Sequence, residues 1–325
     1  MQYQSPYEGS VAYACSGNKP SGGGVSPRSA RLRGQSIIEY VLIIAVIGLV
    51  IVFAGPGVAG AIRNQFNQVT NTVDSGTDGD SFMSEEEKAY REALKTVASK
   101  DAKDWTLDEQ KAAATDIAKN GTSSVVYAKA KAAMDAGAEW SVKLTNGETM
   151  KYRIIGINHD DLADGSGKAG LTFFMTYPYD KVRMNATNTN AGGWENSEIR
   201  QSLNSGDFYS QLPSEICSRI KPVKKLTDNQ GGGKAGTPTV TVDKVFLLSS
   251  TEIWGNLDRD GSQYEYYASK GVTISNYSAA KIFNSYWTRS VKPDGSREFK
   301  AVYTSGAPIW QRANDTYELH PAFCF

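Results

Sequence analysis

Hydrophobic and polar positions divide the chain into stretches of different texture. From Val41 to Ile62 no side chain carries a charge over 22 residues, enough as a helix to cross a hydrocarbon core of about 30 Å. Arg31 and Arg33 just before it favour keeping the N-terminal side in the cytoplasm. Pro56, between Gly55 and Gly57, removes a backbone hydrogen bond and predicts a kink or an end to the first helical section. Residues 63–83 turn polar, with Asp74-Ser75-Gly76-Thr77-Asp78-Gly79 as a hinge. Ser84 followed by Glu85-Glu86-Glu87 predicts an N-cap with acids in the first turn. Tyr90, Leu94 and Val97 then share one helical face. A second helix starts at Asp104–Glu109 and stops near Asn120-Gly121, and a third covers Val125 to Met134. No heptad is sustained, so residues 84–138 read as a small helical spacer packed on its neighbour.

From Trp140 the period changes. Trp140–Leu144, the turn Asn146-Gly147 and Met150–Ile157 predict a β-hairpin. Leu171–Tyr177, Val240–Ser249, Phe299–Tyr303 and Glu318–Phe325 are further strand candidates, with helical pieces at Glu195–Leu203 and Ser214–Ile220. Long glycine- and asparagine-rich loops lie between them, including Gln230-Gly231-Gly232-Gly233-Lys234. Such loops in a compact domain tend to be functional surfaces. The fold class is α+β: a long N-terminal hydrophobic helix, a helical spacer, and a mixed domain over 139–325.

Charge changes this picture little. Lysine plus arginine balances aspartate plus glutamate at 35 each, so no nucleic-acid footprint is present. Residues 1–30 are rich in Gly, Ser and Pro, a composition that does not build a core. Cys15 lies in this first stretch, leaving Cys217 and Cys324 as the arithmetic of one possible disulfide, or as two free buried thiols. Two histidines, His159 and His320, and no CxxC or HxxxH spacing argue against a zinc site. The chain shows no cofactor motif.

Gly34, four residues, then Glu39-Tyr40 ahead of the apolar run resembles the processing motif of Flp/Tad-type pilins, the type IVb branch. A carboxylate in the apolar part of a membrane segment costs roughly 2.5–3.5 kcal/mol and points to function. The resemblance implies cleavage after Gly34 by a prepilin peptidase, removing a 1–34 leader. The mature chain would start at Gln35, with residues 35–62 as the membrane and assembly helix. It also implies that Glu39 pairs with the N-terminal amine of a neighbouring subunit, which gives the buried charge a partner. The leader carries a net +3, so processing leaves the mature chain near −3, which suits a surface exposed outside the cell. Flp pilins are usually very short, and this chain continues far beyond the helix.

A second resemblance covers residues 139–325. Gly193-Trp194-Glu195-Asn196-Ser197-Glu198-Ile199-Arg200-Gln201-Ser202-Leu203-Asn204 resembles the GW-x-x-S-x-(I/L)-R-x-x-L-N signature of DUF6273, a bacterial domain family. Tyr286-Trp287-Thr288-Arg289-Ser290 is similar to its W-(L/T)-R-S element, and His320-Pro321-Ala322-Phe323 to its closing R-P-A-(F/L), with histidine where arginine is common. The pattern is similar to the C-type-lectin-like fold of formylglycine-generating enzymes and of retroelement-diversified variable proteins. In that fold the first and last strands pair and a loop-rich half carries the ligand site. Trp194, Ile199, Leu203, Trp287 and Phe323 read as core, with Arg200 and Asn204 tying helix to loop.

The binding candidates lie in the loop-like stretch 303–317: Tyr303, Ser305, Trp310, Arg312, Asn314, Asp315 and Tyr317. They mix rigid aromatic anchors with adaptable hydrogen-bonding groups. No catalytic constellation appears, and fold alone does not confer activity; the chain is not expected to be an enzyme. Asn256–Gly261 starts like a calcium loop, but Tyr267 stands at the twelfth position where a bidentate glutamate is needed, so a tight surface turn is the better reading. The expectation is a surface-displayed pilin-like subunit, minor or at the tip. Its partners are other pilin subunits, the peptidase, the cytoplasmic membrane before assembly, and a protein or glycan on a host, bacterial or phage surface. Retroelement diversification would act within residues 286–317. The alternatives are a structural pilin without a ligand and an unassembled membrane-anchored receptor.

Overall fold

The structure, a computed structural model, describes residues 84–325. The leader, the motif at Gly34, Gln35, Glu39 and Tyr40, the apolar helix and the polar linker lie outside the described residues. Among the described residues no helix is long and apolar enough to cross a membrane. They form a mixed α+β unit.

Three helices come first. In α1 (Glu85–Ser99) the Ser84 hydroxyl caps the Glu87 amide, and Leu94 and Val97 are buried. A capping box between Thr106 and Glu109 starts α2 (Leu107–Asn120), which ends at Gly121 with φ 55°. Helix α3 (Tyr127–Ala136) ends at Gly137, in the left-handed conformation that glycine adopts without strain. The block read as a spacer is continuous with the strand-rich part of the chain. Val97, Ala113, Ala114, Ile117, Ala130 and Met134 share one apolar core with Trp140, Tyr152 and Phe173. Buried Gln110 accepts the Tyr152 hydroxyl at 3.1 Å and donates to the Trp105 carbonyl at 3.1 Å. At Gly170 a Cβ would meet the Ala114 carbonyl oxygen at 1.8 Å, so only glycine lets that chain reach α2.

Two five-stranded sheets complete the unit. The first contains β1 (Glu139–Lys143), β2 (Thr149–Ile157), β3 (Leu171–Met175), β7 (Val245–Phe246) and β12 (Ala322–Cys324) in the order β1-β2-β3-β12-β7. The second contains β4 (Lys181–Val182), β8 (Tyr286–Val291), β9 (Glu298–Val302), β10 (Pro308–Arg312) and β11 (Tyr317–Glu318) in the order β10-β9-β8-β11-β4. Strands β5 (Val223–Thr227) and β6 (Thr239–Asp243) pair as a separate ribbon. β1 and β2 form the expected hairpin.

Two single-strand expectations divide. Val240–Ser249 splits into β6 and β7, which belong to different sheets, and the Ser249–Glu252 capping box then starts a short helix at Ser250–Trp254. Glu318–Phe325 splits into β11 and β12, one in each sheet. The stretch 303–317 is not one loop: β10 occupies its middle and pairs with β9, Trp310 opposite Lys300.

Candidate functional site

The motif residues build the interior. Trp194 is fully buried and its Nε1–H donates to Asp243 Oδ2 at 3.0 Å. Arg200 Nε donates to Asp243 Oδ1 at 2.6 Å, and Arg200 Nη2 donates to the Val242 carbonyl at 3.1 Å. Asn204 donates to the Val245 carbonyl at 2.9 Å and accepts from the Lys244 amide at 2.7 Å. Ser197 caps the helix Glu198–Ser205, whose Ile199 and Leu203 are buried. The signature thus fastens one helix to the β6–β7 corner, where the chain changes sheets.

Arg289 is the centre of a second knot. It is completely buried and grips Glu252 with Nη1 at 2.5 Å from Oε2 and Nη2 at 2.8 Å from Oε1. Its remaining N–H groups reach Thr227 Oγ1, the Leu247 carbonyl and the Asp260 carbonyl at 2.7, 2.8 and 3.1 Å. Glu252 Oε1 also lies 2.5 Å from Lys225 Nζ, which lies 2.6 Å from Asp160 Oδ1. Two cations and two anions therefore share one dry site, a buried set that persists only when its charges are matched. Burial alone would raise the Asp160 carboxyl; the Lys225 ammonium overrides it and holds Asp160 well below the usual range. Burial likewise opposes the charged form of Lys225, and the charges of Asp160 and Glu252 outweigh it.

Of the two readings open for Cys217 and Cys324, the structure has the free thiols, Cys324 buried and Cys217 partly buried. Cys324 is enclosed, its Sγ 3.5 Å from Asp160 Oδ2 and 3.4 Å from Thr172 Oγ1. Burial and then the Asp160 charge push its thiol well above the ordinary value, which leaves it a protonated donor and a poor nucleophile. Cys217 instead faces the Leu212 carbonyl at 3.7 Å. His320 stands in for arginine: its Nε2 lies 3.1 Å from Glu318 Oε2, and its Nδ1 lies 3.0 Å from the Met175 carbonyl oxygen. The turn at Asn256–Gly261 points its acids inward, Asp258 to Lys300 and Ser250, and Asp260 to Ser290 and the Thr251 amide. Among the described residues no group of His, Cys, Asp or Glu is arranged to hold a metal ion.

The surface is of another kind. Trp310 on edge strand β10 is 37% exposed, and Lys300 Nζ lies 4.4 Å from its ring centroid, a cation–π arrangement. Because Lys300 pairs with Asp258, the indole is tied to a cavity of about 320 Å³ whose lining includes Asp228, Thr237, Pro238, Leu257, Asp258 and Arg259. By strand alternation Trp310 and Arg312 share one face of the sheet. Tyr303 and Ser305 occupy the turn before β10, with Tyr303 49% exposed. Asn314 and Asp315 form the turn after it, where Asp315 Oδ2 accepts the Arg312 amide at 3.1 Å. Tyr317 packs edge-on to Trp287 at 4.9 Å. Six of the seven candidates thus follow β10 and its two flanking turns, with Trp310 at the middle of the strand, while Tyr317 lies on β11 across β9 and β8 from it.

A further cleft, of about 660 Å³, was not anticipated from sequence. Lys151, Tyr177, Tyr179, Asp180 and Glu318 are among its lining residues. Exposed Tyr177 meets exposed Phe283 edge-on at 5.9 Å. The paired aromatics lie more than a hundred positions apart in sequence, so no local pattern announces them.

Residues 169–325 match the model of a family described as Domain of unknown function (DUF6273). No curated protein and no solved structure matches the chain. The match begins just before β3 and leaves out β1, β2 and the three helices that share its core.

Proposed function

We propose that this chain is a pilin-like subunit, minor or at the tip of a Tad/Flp-type filament, whose C-terminal domain binds a protein or glycan on another surface. The observation that carries the reading is the spacing of Gly34, Glu39 and Tyr40 in front of 22 uncharged residues. It supplies a cleavage point, a partner-seeking carboxylate and a helix long enough to pack in a filament. The lectin-like resemblance over 139–325 implies that its first and last strands pair, whereas β12 pairs with β3 and β7 and β1 pairs with β2; β3, the first strand within the family match, is the one that meets β12. The binding face in this reading is the hairpin around Trp310. An aromatic anchor flanked by polar turns is hot-spot chemistry. Diversification, if it operates on 286–317, is restricted to the outer positions, because Tyr286–Val291 is buried throughout.

The test is N-terminal sequencing of protein recovered from sheared surface filaments. A chain beginning at Gln35 in that fraction supports processing and assembly together. An unprocessed chain retained in the membrane overturns the pilin reading and leaves an anchored receptor. Processed filaments that bind no surface ligand leave a structural pilin.

A further inference from the structure

The site around Lys225 holds more than an ion pair requires. The loop after β2 is laid against β5 by the Leu162–Val223 bridge and by the Lys224 amide donating to the Asp161 carbonyl at 2.9 Å. This places Asp160 and Lys225 side by side, their side chains 3% and 2% exposed. Nζ lies 2.6 Å from Asp160 Oδ1, 2.5 Å from Glu252 Oε1 and 4.2 Å from the Phe246 ring centroid. The other carboxylate oxygen of Asp160, Oδ2, accepts from the Thr172 hydroxyl at 2.6 Å and the Tyr264 hydroxyl at 2.9 Å. The amine nitrogen is thus held in hydrogen-bond contact with one oxygen of a carboxyl group, a second carboxylate touches the same nitrogen, and two hydroxyls reach the other oxygen, that of Tyr264 also lying 3.1 Å from Oδ1 and 3.0 Å from Nζ.

We propose that Lys225 and Asp160 condense into an intramolecular isopeptide bond, with Glu252 as the proton relay. The Lys225 ammonium passes one proton to Asp160 Oδ1 across their 2.6 Å contact, giving a neutral amine beside a neutral carboxyl. The amine lone pair attacks Asp160 Cγ, Thr172 and Tyr264 stabilise the oxyanion at Oδ2, and Glu252, in contact with Nζ, takes a second proton from the nitrogen and gives it up to the departing Oδ1. The Nζ–Cγ bond forms and the Cγ–Oδ1 bond breaks. Two protons that began on Nζ leave with Oδ1 as one water, so ammonium and carboxylate become amide plus water with no oxidant or cofactor. Proximity replaces activation here, since fixing two groups in a water-free site gives large effective concentrations. The absence of bulk water also protects the product from hydrolysis. The link joins positions 65 apart in sequence, and closing a long loop stabilises chiefly by restricting the unfolded chain. The proposal does not depend on the pilin reading.

Intact mass spectrometry of the purified full chain tests it, followed by peptide mapping. The expected mass is that of the chain minus one water, with Asp160 and Lys225 in one cross-linked peptide pair. Lys225→Arg should keep its full mass, Glu252→Gln should leave an unlinked fraction, and Asp160→Asn should reach the wild-type product mass by losing ammonia. The wild-type measurement decides the matter even where a variant fails to fold. An unreduced wild-type mass after prolonged incubation of the folded protein overturns the proposal. So does a water loss that maps elsewhere, such as a succinimide at Asp164-Gly165.

Discussion

Arg289 on β8 and Trp310 on β10 belong to one sheet, with only β9 between them, and their surroundings are opposites. Arg289 is wholly enclosed, bidentate on Glu252 and anchored on Thr227 and backbone carbonyls. Trp310 is more than a third exposed, with Lys300 as a cation against its ring. Residues that define the signature, Trp194, Arg200, Asn204 and Arg289, direct their hydrogen-bonding groups into the protein and present little to a ligand. The hairpin that lies outside the signature keeps its aromatic rings and polar groups at the surface.

The strongest way to break this contrast is Arg289→Ala. Removing one member of a buried pair leaves an uncompensated charge and costs about 3–5 kcal/mol, here with the Leu247 and Asp260 carbonyls also losing a donor. Urea denaturation measures the loss, which is a large share of a domain's typical net stability. The double variant Arg289→Met with Glu252→Gln should recover part of it, because the orphaned carboxylate goes too. If the single and double variants are equally destabilised, unpaired charge is not the cause.

Asp243→Ala should come next, at about 1.5–3 kcal/mol for lost hydrogen bonds to a charged group. It strips acceptors from Trp194, Arg200 and Thr241 at once. A thermal midpoint indistinguishable from wild type would show that the helix-to-corner tie is dispensable.

Trp310→Ala sharpens the contrast from the other side. A central aromatic hot spot is worth about 2 kcal/mol of binding, roughly thirtyfold in affinity, while loss of the cation–π contact with Lys300 costs stability by about 0.5–2 kcal/mol. Adhesion measured on filaments or purified domain should fall roughly thirtyfold, with the urea midpoint lowered by less than in Asp243→Ala. Unchanged adhesion would remove this hairpin from the binding reading.

How far the sequence announced all this depends on the range of the interaction. Caps and turns were legible because they are local: Ser84, Gly121 and the Asn146-Gly147 hairpin lie where the pattern predicted. The tie between helix and loop at Arg200 was also legible, from a helical spacing beside a loop, although its acceptor Asp243 lies 43 positions away. The four-charge cluster was not. Asp160, Lys225, Glu252 and Arg289 come from four separate segments, and each alone looks like a surface charge. β10 was missed as a strand because Pro308 opens it and polar residues come after it, as edge strands tolerate. The β6–β7 corner was missed because both strands are apolar enough to read as one run.

The smallest effect is the most diagnostic of the interior's reach. His159, next to Asp160, has Nδ1 3.0 Å from Glu265 Oε1, Nε2 3.2 Å from Ser262 Oγ, and its ring 4.2 Å from that of Tyr264. Burial alone would lower its pKa, but the Glu265 hydrogen bond and, in the unlinked chain, the Asp160 charge outweigh burial and the opposing Lys225 charge; linking Asp160 to Lys225 removes both of those charges and leaves the Glu265 bond. The folded-state value is raised above the ordinary 6.5. A group raised on folding contributes fully below its unfolded value and loses that contribution as pH rises through its folded value. Stability should therefore decline modestly from pH about 6.5 upward, and the slope should vanish in His159→Gln and shrink in Glu265→Gln. Urea midpoints across that window read it directly. If the slope survives in His159→Gln, another group carries it, and the charge cluster does not extend through His159 to the surface at Glu265.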